Sequence, residues 1–224
     1  FQQTVTTSSD PVLAVQPAFR WHTERLRGTH KRLPPSPMGA SLSDCSGRTA
    51  FFRAVEKGDL EAVKQNVERI GSLDFHDEGT GYSPLMAASV VGRGDYFAIA
   101  SLLLENNASV DLKDKKGQTS LFLASLGGHT DLVKLLIKHG ADVNIVTNEG
   151  YSPFYAACWR NRLEVAKALH KAGANANHEA PDGTNALSIA KEWSADEVVA
   201  YLEDSLKLEH KAKAELAISG MQQH

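Results

Sequence analysis

Cysteine is nearly absent from this chain. Its 224 residues hold Cys45 and Cys158 alone, in segments of different character and without metal-ligand spacing. That argues against a disulfide framework or a zinc site and fits a reducing compartment. Long hydrophobic runs are missing too: none approaches the roughly 20 residues that span a bilayer, so no transmembrane segment is expected. The phosphate-cradling G-x-x-x-x-G-K-[ST], the dinucleotide G-x-G-x-x-G, the nucleophile G-x-S-x-G and the zinc-binding H-E-x-x-H are all lacking. The sequence thus points to no cofactor, no metal and no catalytic residues, and a non-enzymatic role is expected.

Strong charge of one sign is also lacking overall, the formal net charge being −3, but the charge is unevenly placed. Residues 1–46 carry Arg20, Arg25, Arg27, Lys31 and Arg32 against Asp10, Glu24 and Asp44. Residues 206–224 carry three lysines against two glutamates, which leaves −6 on residues 47–205. An acidic body argues against nucleic acid as a partner, because phosphate binding requires a basic face.

The first 46 residues hold five of the eight prolines and eleven Ser/Thr, with no sustained period of 3.6 or 2. Such a stretch buries too little apolar surface to offset the entropy of ordering it, so an extended or disordered basic tail is expected over 1–46. Its Arg- and Ser/Thr-rich, acid-poor character around Arg20–Ser43 resembles organelle-targeting or mature N-terminal sequence. A start at Phe1 rather than Met is what a fragment or a processed product would show. An intracellular location is expected, cytoplasmic or organellar, with mitochondrion or plastid as the organelles this segment suggests.

What the remainder has in abundance is self-similarity. A short turn-then-apolar motif ends in Ala54, Ala88, Ala124, Ala157 and Ala190, at spacings of 34, 36, 33 and 33. Each unit reads alike. Ser or Thr caps a helix, and Pro84 and Pro153 stand at a first helical position where a missing N–H costs nothing. A second helix carries a stripe such as Leu132, Leu135 and Leu136 and stops at a glycine such as Gly140. A glycine turn such as Asn148-Glu149-Gly150 opens the next unit.

These segments closely resemble the ankyrin family: Gly117-Gln118-Thr119-Ser120-Leu121, Gly128-His129-Thr130-Asp131-Leu132-Val133, and His139-Gly140-Ala141-Asp142-Val143-Asn144. The resemblance covers residues 47–205 and implies an all-α ankyrin-repeat solenoid. Five helix-turn-helix units are expected, over 47–77, 78–113, 114–146, 147–179 and 180–205, with β-turn or hairpin tips. The extended tail precedes them, and a C-terminal amphipathic helix or tail over 206–224 either extends the last repeat or packs on a neighbour. Met86, Phe122, Tyr155 and Ser188 depart from the family, standing where a histidine usually follows Pro-Leu. The second unit is longer, with a protruding loop expected at 92–95. Asp59, Glu61 and Lys64 in the first unit, and Lys191, Asp196 and Glu197 in the last, suit capping repeats that face water.

In the family, turn tips and inner helices line a concave face that usually binds protein. Carried across, that face comprises Tyr82, Val90 and Val91 in unit two, and Lys115, Lys116, Gln118 and Leu126 in unit three. Unit four contributes Asn148, Glu149, Tyr151, Trp159 and Arg160, and unit five Asp182, Thr184, Glu192 and Trp193. Tyr, Trp and Arg are the residue types that dominate interface hot spots. Trp159 and Trp193 either face the partner or tuck between repeats, and Lys115-Lys116 is either a solvated tip or a secondary contact. His129 is read as structural and Cys158 as a small buried hydrophobe. The expected role is protein binding, as a structural or assembly subunit of a multi-subunit complex with the tail as an extra anchor. The alternative is a freestanding adaptor with a flexible tail.

Overall fold

The computed structural model describes residues 45–91 and 95–205. The expected tail up to residue 44, the centre of the expected loop 92–95 and the segment 206–224 lie outside the described residues. Those described contain ten α-helices and no strand. They run in pairs: α1 (Cys45–Lys57) with α2 (Leu60–Asn66), α3 (Pro84–Val91) with α4 (Tyr96–Glu105), and α5 (Ser120–Gly127) with α6 (Thr130–Lys138). They continue as α7 (Pro153–Trp159) with α8 (Leu163–Lys171), and α9 (Ala186–Glu192) with α10 over 196–205. First helices α1, α3, α5, α7 and α9 pack on one another in series, and α2, α4, α6 and α8 form a second row behind them. The architecture is the all-α repeat solenoid.

The recurring alanine marks one structural event. The carbonyls of Ala54, Ala124, Ala157 and Ala190 each accept from the N–H five residues on, those of Asp59, His129, Arg162 and Ala195, at 2.8–3.0 Å. That bond closes the first helix of each pair through a left-handed residue: Gly58, Gly128, Asn161 or Ser194. Ala124, Ala157 and Ala190 have no measurable exposure, and only a methyl group permits so close an approach of neighbouring first helices. The opposite end of the first helix in units two to five is capped by a side-chain oxygen. Ser83, Thr119 and Ser152 accept from the third residue beyond them, and Asn185 forms a reciprocal capping box with Ser188.

The tips explain one irregular spacing. In units three to five a tight turn is pinned by two backbone bonds, for instance Gly150 N–H to Thr147 O (2.9 Å) and Thr147 N–H to Tyr151 O (3.0 Å). In unit two the equivalent pair, Gly81 to Asp77 and Asp77 to Tyr82, encloses one residue more, giving the interval of 34. The interval of 36 arises further on. Leu103, Leu136 and Leu169 are equivalent, each accepting from the N–H five residues later at 3.0 Å. Between Ala88 and Leu103 there are three more residues than in the two following units, in the stretch where the loop was expected.

Neighbouring repeats are laced by side chain-to-backbone bonds at one recurring position. Asp74 accepts from the N–H and hydroxyl of Ser109, Asp111 from the N–H of Asp142, and Asn144 from the N–H of Asn175 (2.9 Å). The main core runs between the helix rows, from Phe51 and Phe52 through Leu103, Leu136 and Leu169 to Leu202. A second cluster lies under the first-helix face: Met86, Phe122, Leu123 and Ala156 are buried, with Tyr82, Val90, Leu112, Leu126 and Tyr151 half-buried over them. The departures from the family's usual histidine, Met86 and Phe122, build this layer. The ends of the array carry charge as expected of capping units: Asp59 caps α2, Glu61 pairs with Lys64, and Lys191 pairs with Glu203.

Candidate protein-binding face

Two registers bring the candidate residues together. Tyr82, Gln118, Tyr151 and Thr184 each follow a tip glycine. Val90, Leu126, Trp159 and Glu192 each lie two residues past the recurring alanine, one turn beyond Met86, Phe122, Tyr155 and Ser188 on the same helices. Tyr82, Val90, Leu126, Tyr151, Trp159 and Thr184 are half-buried, whereas Lys115, Lys116, Asn148, Glu149, Arg160, Asp182 and Glu192 are exposed. The side chain of Val91 lies outside the description. One member of the group differs from its expected position. Gln118 is only 6% exposed, and its Oε1 finds no hydrogen-bond partner among the described residues. It sits in the register between two tyrosines that pack on the layer below, so it belongs to the wall of the face and offers little surface to a partner.

The fourth and fifth units hold the densest part of the face. The rings of Tyr151 and Tyr155 stack with centroids 4.8 Å apart and an interplanar angle of 19°. Their hydroxyls reach into unit five, Tyr151 to Asp182 Oδ2 at 3.3 Å and Tyr155 to Thr184 Oγ1 at 3.1 Å. Asp182 in turn accepts from the N–H and hydroxyl of Thr184 at 2.9 and 2.6 Å. Burial raises both phenols, and nearby carboxylates add to the effect: Asp182 and Glu149 around Tyr151, which is pushed up to about 12, and Asp182 and Glu192 around Tyr155. Hydrogen bonds from Thr184 hold the Asp182 carboxyl below its ordinary value.

At the far end of the same helices Trp159 and Trp193 meet edge to face, centroids 5.9 Å apart at 74°. The Arg160 guanidinium lies over the Trp159 ring, 4.9 Å from its centroid. Trp193 remains 42% exposed. The two tryptophans thus pack on each other across the repeat junction, and Trp193 still presents part of its surface to solvent.

Tip-to-tip bonds fix the spacing of these groups. The Asn148 N–H donates to Lys116 O at 2.9 Å and its side chain to Lys115 O at 3.0 Å. His178 Nε2 donates to Gly150 O at 2.8 Å. Lys115 and Lys116 stand on a solvated tip, the stem of Lys115 lying along Gly81. Sequence reasoning did not place Tyr155 in the face, although a tyrosine at the family's usual histidine position was a usable signal. It also gave no partner for His170, which shares a 2.7 Å hydrogen bond with the Tyr201 hydroxyl. Cys158 is buried, and burial pushes its thiol up to about 12, while burial and the Arg162 charge lower the pKa of His129. Among the described residues no cluster of His, Cys, Asp or Glu has the arrangement of a metal site, and no helix is long and apolar enough to cross a membrane.

Known proteins carry the same repeat. Residues 85–180 match the family model of ankyrin repeats (3 copies). Among curated proteins, a fibronectin type 3 and ankyrin repeat domains 1 protein of Mus musculus is 44% identical over 57 residues, covering 25% of this chain and 16% of that protein. The dauer abnormal formation protein 25 of Caenorhabditis elegans is 31% identical over 94 residues, 42% of this chain and 24% of that protein. The human 2-5A-dependent ribonuclease is 35% identical over 82 residues, 37% of this chain and 11% of that protein. The chain thus spans a quarter or less of the length of each of these relatives. With the helix pairs and tips described above, the match shows that this part of the chain is built of ankyrin repeats. Ankyrin repeats are in general protein–protein interaction modules.

Proposed function

We propose that this chain binds a partner protein through the first-helix face of units two to five and does so without catalysis. The observation that carries the reading is the unbroken row Val90, Leu126, Trp159, half-buried along three repeats and extended by the exposed Trp193. A solvent-facing strip this apolar and aromatic has the composition of an interface core. Glu149, Asp182, Arg160 and the Lys115-Lys116 tip form its charged rim.

In the fuller form of this proposal the protein is a structural or assembly subunit of a larger complex, working inside the cell in the cytoplasm or an organelle such as a mitochondrion or plastid. The basic segment 1–46 then serves as a second anchor beside the repeats of 47–205. Two measurements test these statements separately. Trp193→Ala, at a position 42% exposed, should lower the melting temperature only modestly, through the lost edge-to-face contact with Trp159, and weaken partner binding by more than ~1 kcal/mol, as truncation of a hot-spot aromatic does. Unchanged affinity would remove the face assignment. Limited proteolysis in the native assembly and on the purified chain tests the anchor: equal cleavage within 1–46 in both would favour the freestanding adaptor instead.

A further inference from the structure

The face described above changes character along its length, and that change specifies what it can hold. Over units two to four it is apolar, from Val90 through Leu126 to Trp159. In unit five the same register turns to Glu192, with Ser188 one helical turn before it. Asp182 accepts from the Tyr151 hydroxyl at 3.3 Å beside the stacked Tyr151 and Tyr155, Glu149 stands exposed on the tip that carries Tyr151, and Glu192 stands exposed one turn past Ser188; the charges of both glutamates add to the rise of the phenol pKa values. Glu149 and Glu192 make no ion pair with any described residue. The neighbouring cations are already engaged: Arg160 lies over Trp159, and Lys191 holds Glu203 at 2.8 Å. The tip of unit three bears the opposite sign, with Lys113, Lys115 and Lys116 exposed.

Resting on the reading that this face binds protein, we propose that its occupant is an extended partner segment carrying a large apolar side chain close to a lysine or arginine. The apolar side chain lies on Leu126, Trp159 and Trp193, and the cation lies among the three carboxylates over the tyrosine pair. The lysine-rich tip one repeat away repels that cation, so charge sets the direction and register of the segment while the aromatic row supplies contact area. Carboxylates without an ion-pair partner favour a cation over a neutral polar group by direct charge attraction.

The test uses the full chain and a random-peptide display library, followed by fluorescence anisotropy on the strongest selected peptide. Selected sequences should pair an apolar residue with a nearby Lys or Arg. Affinity should fall about fivefold in Glu192→Lys, as expected for reversal of one rim charge; raising salt should weaken binding to the unsubstituted chain and narrow that fivefold difference. A peptide with Lys replaced by Glu should then prefer the Glu192→Lys variant. Trp193→Ala should weaken the original peptide, and because that ring, 42% exposed, lies nearer the surface than Trp159 the variant remains folded even if Trp159→Ala does not. Peptides that need Trp193 but ignore Glu192→Lys, or that are enriched in Asp and Glu, overturn the basic segment and leave the binding face standing. Peptides indifferent to both substitutions, or no selection at all, overturn the face itself. Concentration-dependent dimerisation abolished by Trp193→Ala, without peptide selection, assigns the face to a second copy of this chain and likewise refutes the proposal.

Discussion

Replacing Gly150 with alanine tests whether adjacent tips are keyed to each other or merely lie side by side. Gly150 closes the tip of unit four at φ +85°, donating to Thr147 and accepting from His178. A Cβ there would stand 2.3 Å from Cδ and 3.0 Å from Cγ of Pro181, in the next tip. Gly183 has nearly the same backbone, φ +80°, and a Cβ there would meet nothing within 4 Å. Both substitutions forfeit the left-handed permissiveness of glycine, at about 1 kcal/mol each. Only Gly150→Ala must also push a proline ring aside, and overpacking of that kind costs about 1–3 kcal/mol more. We therefore expect Gly150→Ala to destabilise by about 2–4 kcal/mol and Gly183→Ala by about 1 kcal/mol. Urea unfolding followed by far-ultraviolet circular dichroism measures both, with midpoints and slopes compared variant by variant because a repeat array can lose units in sequence. Gly150→Ala should also weaken partner binding, since the shifted tip carries Tyr151 away from Asp182. Equal midpoint shifts for the two variants would refute tip keying.

Other outcomes follow from single residues. Ser194 closes α9 with φ +52°, so Ser194→Gly should stabilise the last unit by about 0.5–1 kcal/mol, read as a higher thermal midpoint. His129, packed 5.2 Å from the Tyr96 ring, has its pKa held below 6.5 by desolvation and then by Arg162. The unfolded chain takes up that proton first, so the contribution is complete above about pH 6.5 and is lost as pH falls through the folded value. The melting temperature should drop from about pH 7.5 to about pH 5, and drop less in His129→Gln. The Cys158 thiol, pushed up to about 12 by burial, should resist iodoacetamide in the native chain and react once urea is added. Mass spectrometry of the Cys158 peptide would show this, and rapid native labelling would contradict its burial.

Much of the architecture was legible because the repeat is written in residues that answer to the backbone. The recurring alanine, the capping Ser and Thr, and the tip glycines each satisfy a local steric or hydrogen-bonding demand, so their spacing gave the helix pairs directly. The two irregular intervals were legible as lengths and not wholly as places: the loop near 92–95 was expected, whereas the added residue in the Asp77–Tyr82 tip needed the bonding pattern. Register also brought most of the candidate residues into two rows. It did not foresee the burial of Gln118, which the fold leaves only 6% exposed. It left Trp159 and Trp193 undecided, since an edge-to-face contact between successive units is a property of two repeats together. Tyr155 was missed because its ring serves the buried layer while its hydroxyl serves the rim, and a sequence pattern assigns a residue to one environment only.

The lacing between repeats has a consequence for how the chain is made. The side-chain bonds that join one unit to the next, from Asp74–Ser109 to Asn144–Asn175, connect residues 28 to 37 positions apart. Each unit can therefore dock as soon as it has been synthesised, on a surface that already exists, without waiting for the C-terminus. On the ribosome the array grows by accretion, and the apolar row lengthens one step with each unit added. Trp193 and Glu192 arrive after Val90, Leu126 and Trp159, so the acidic end of this row is added only when the fifth unit closes.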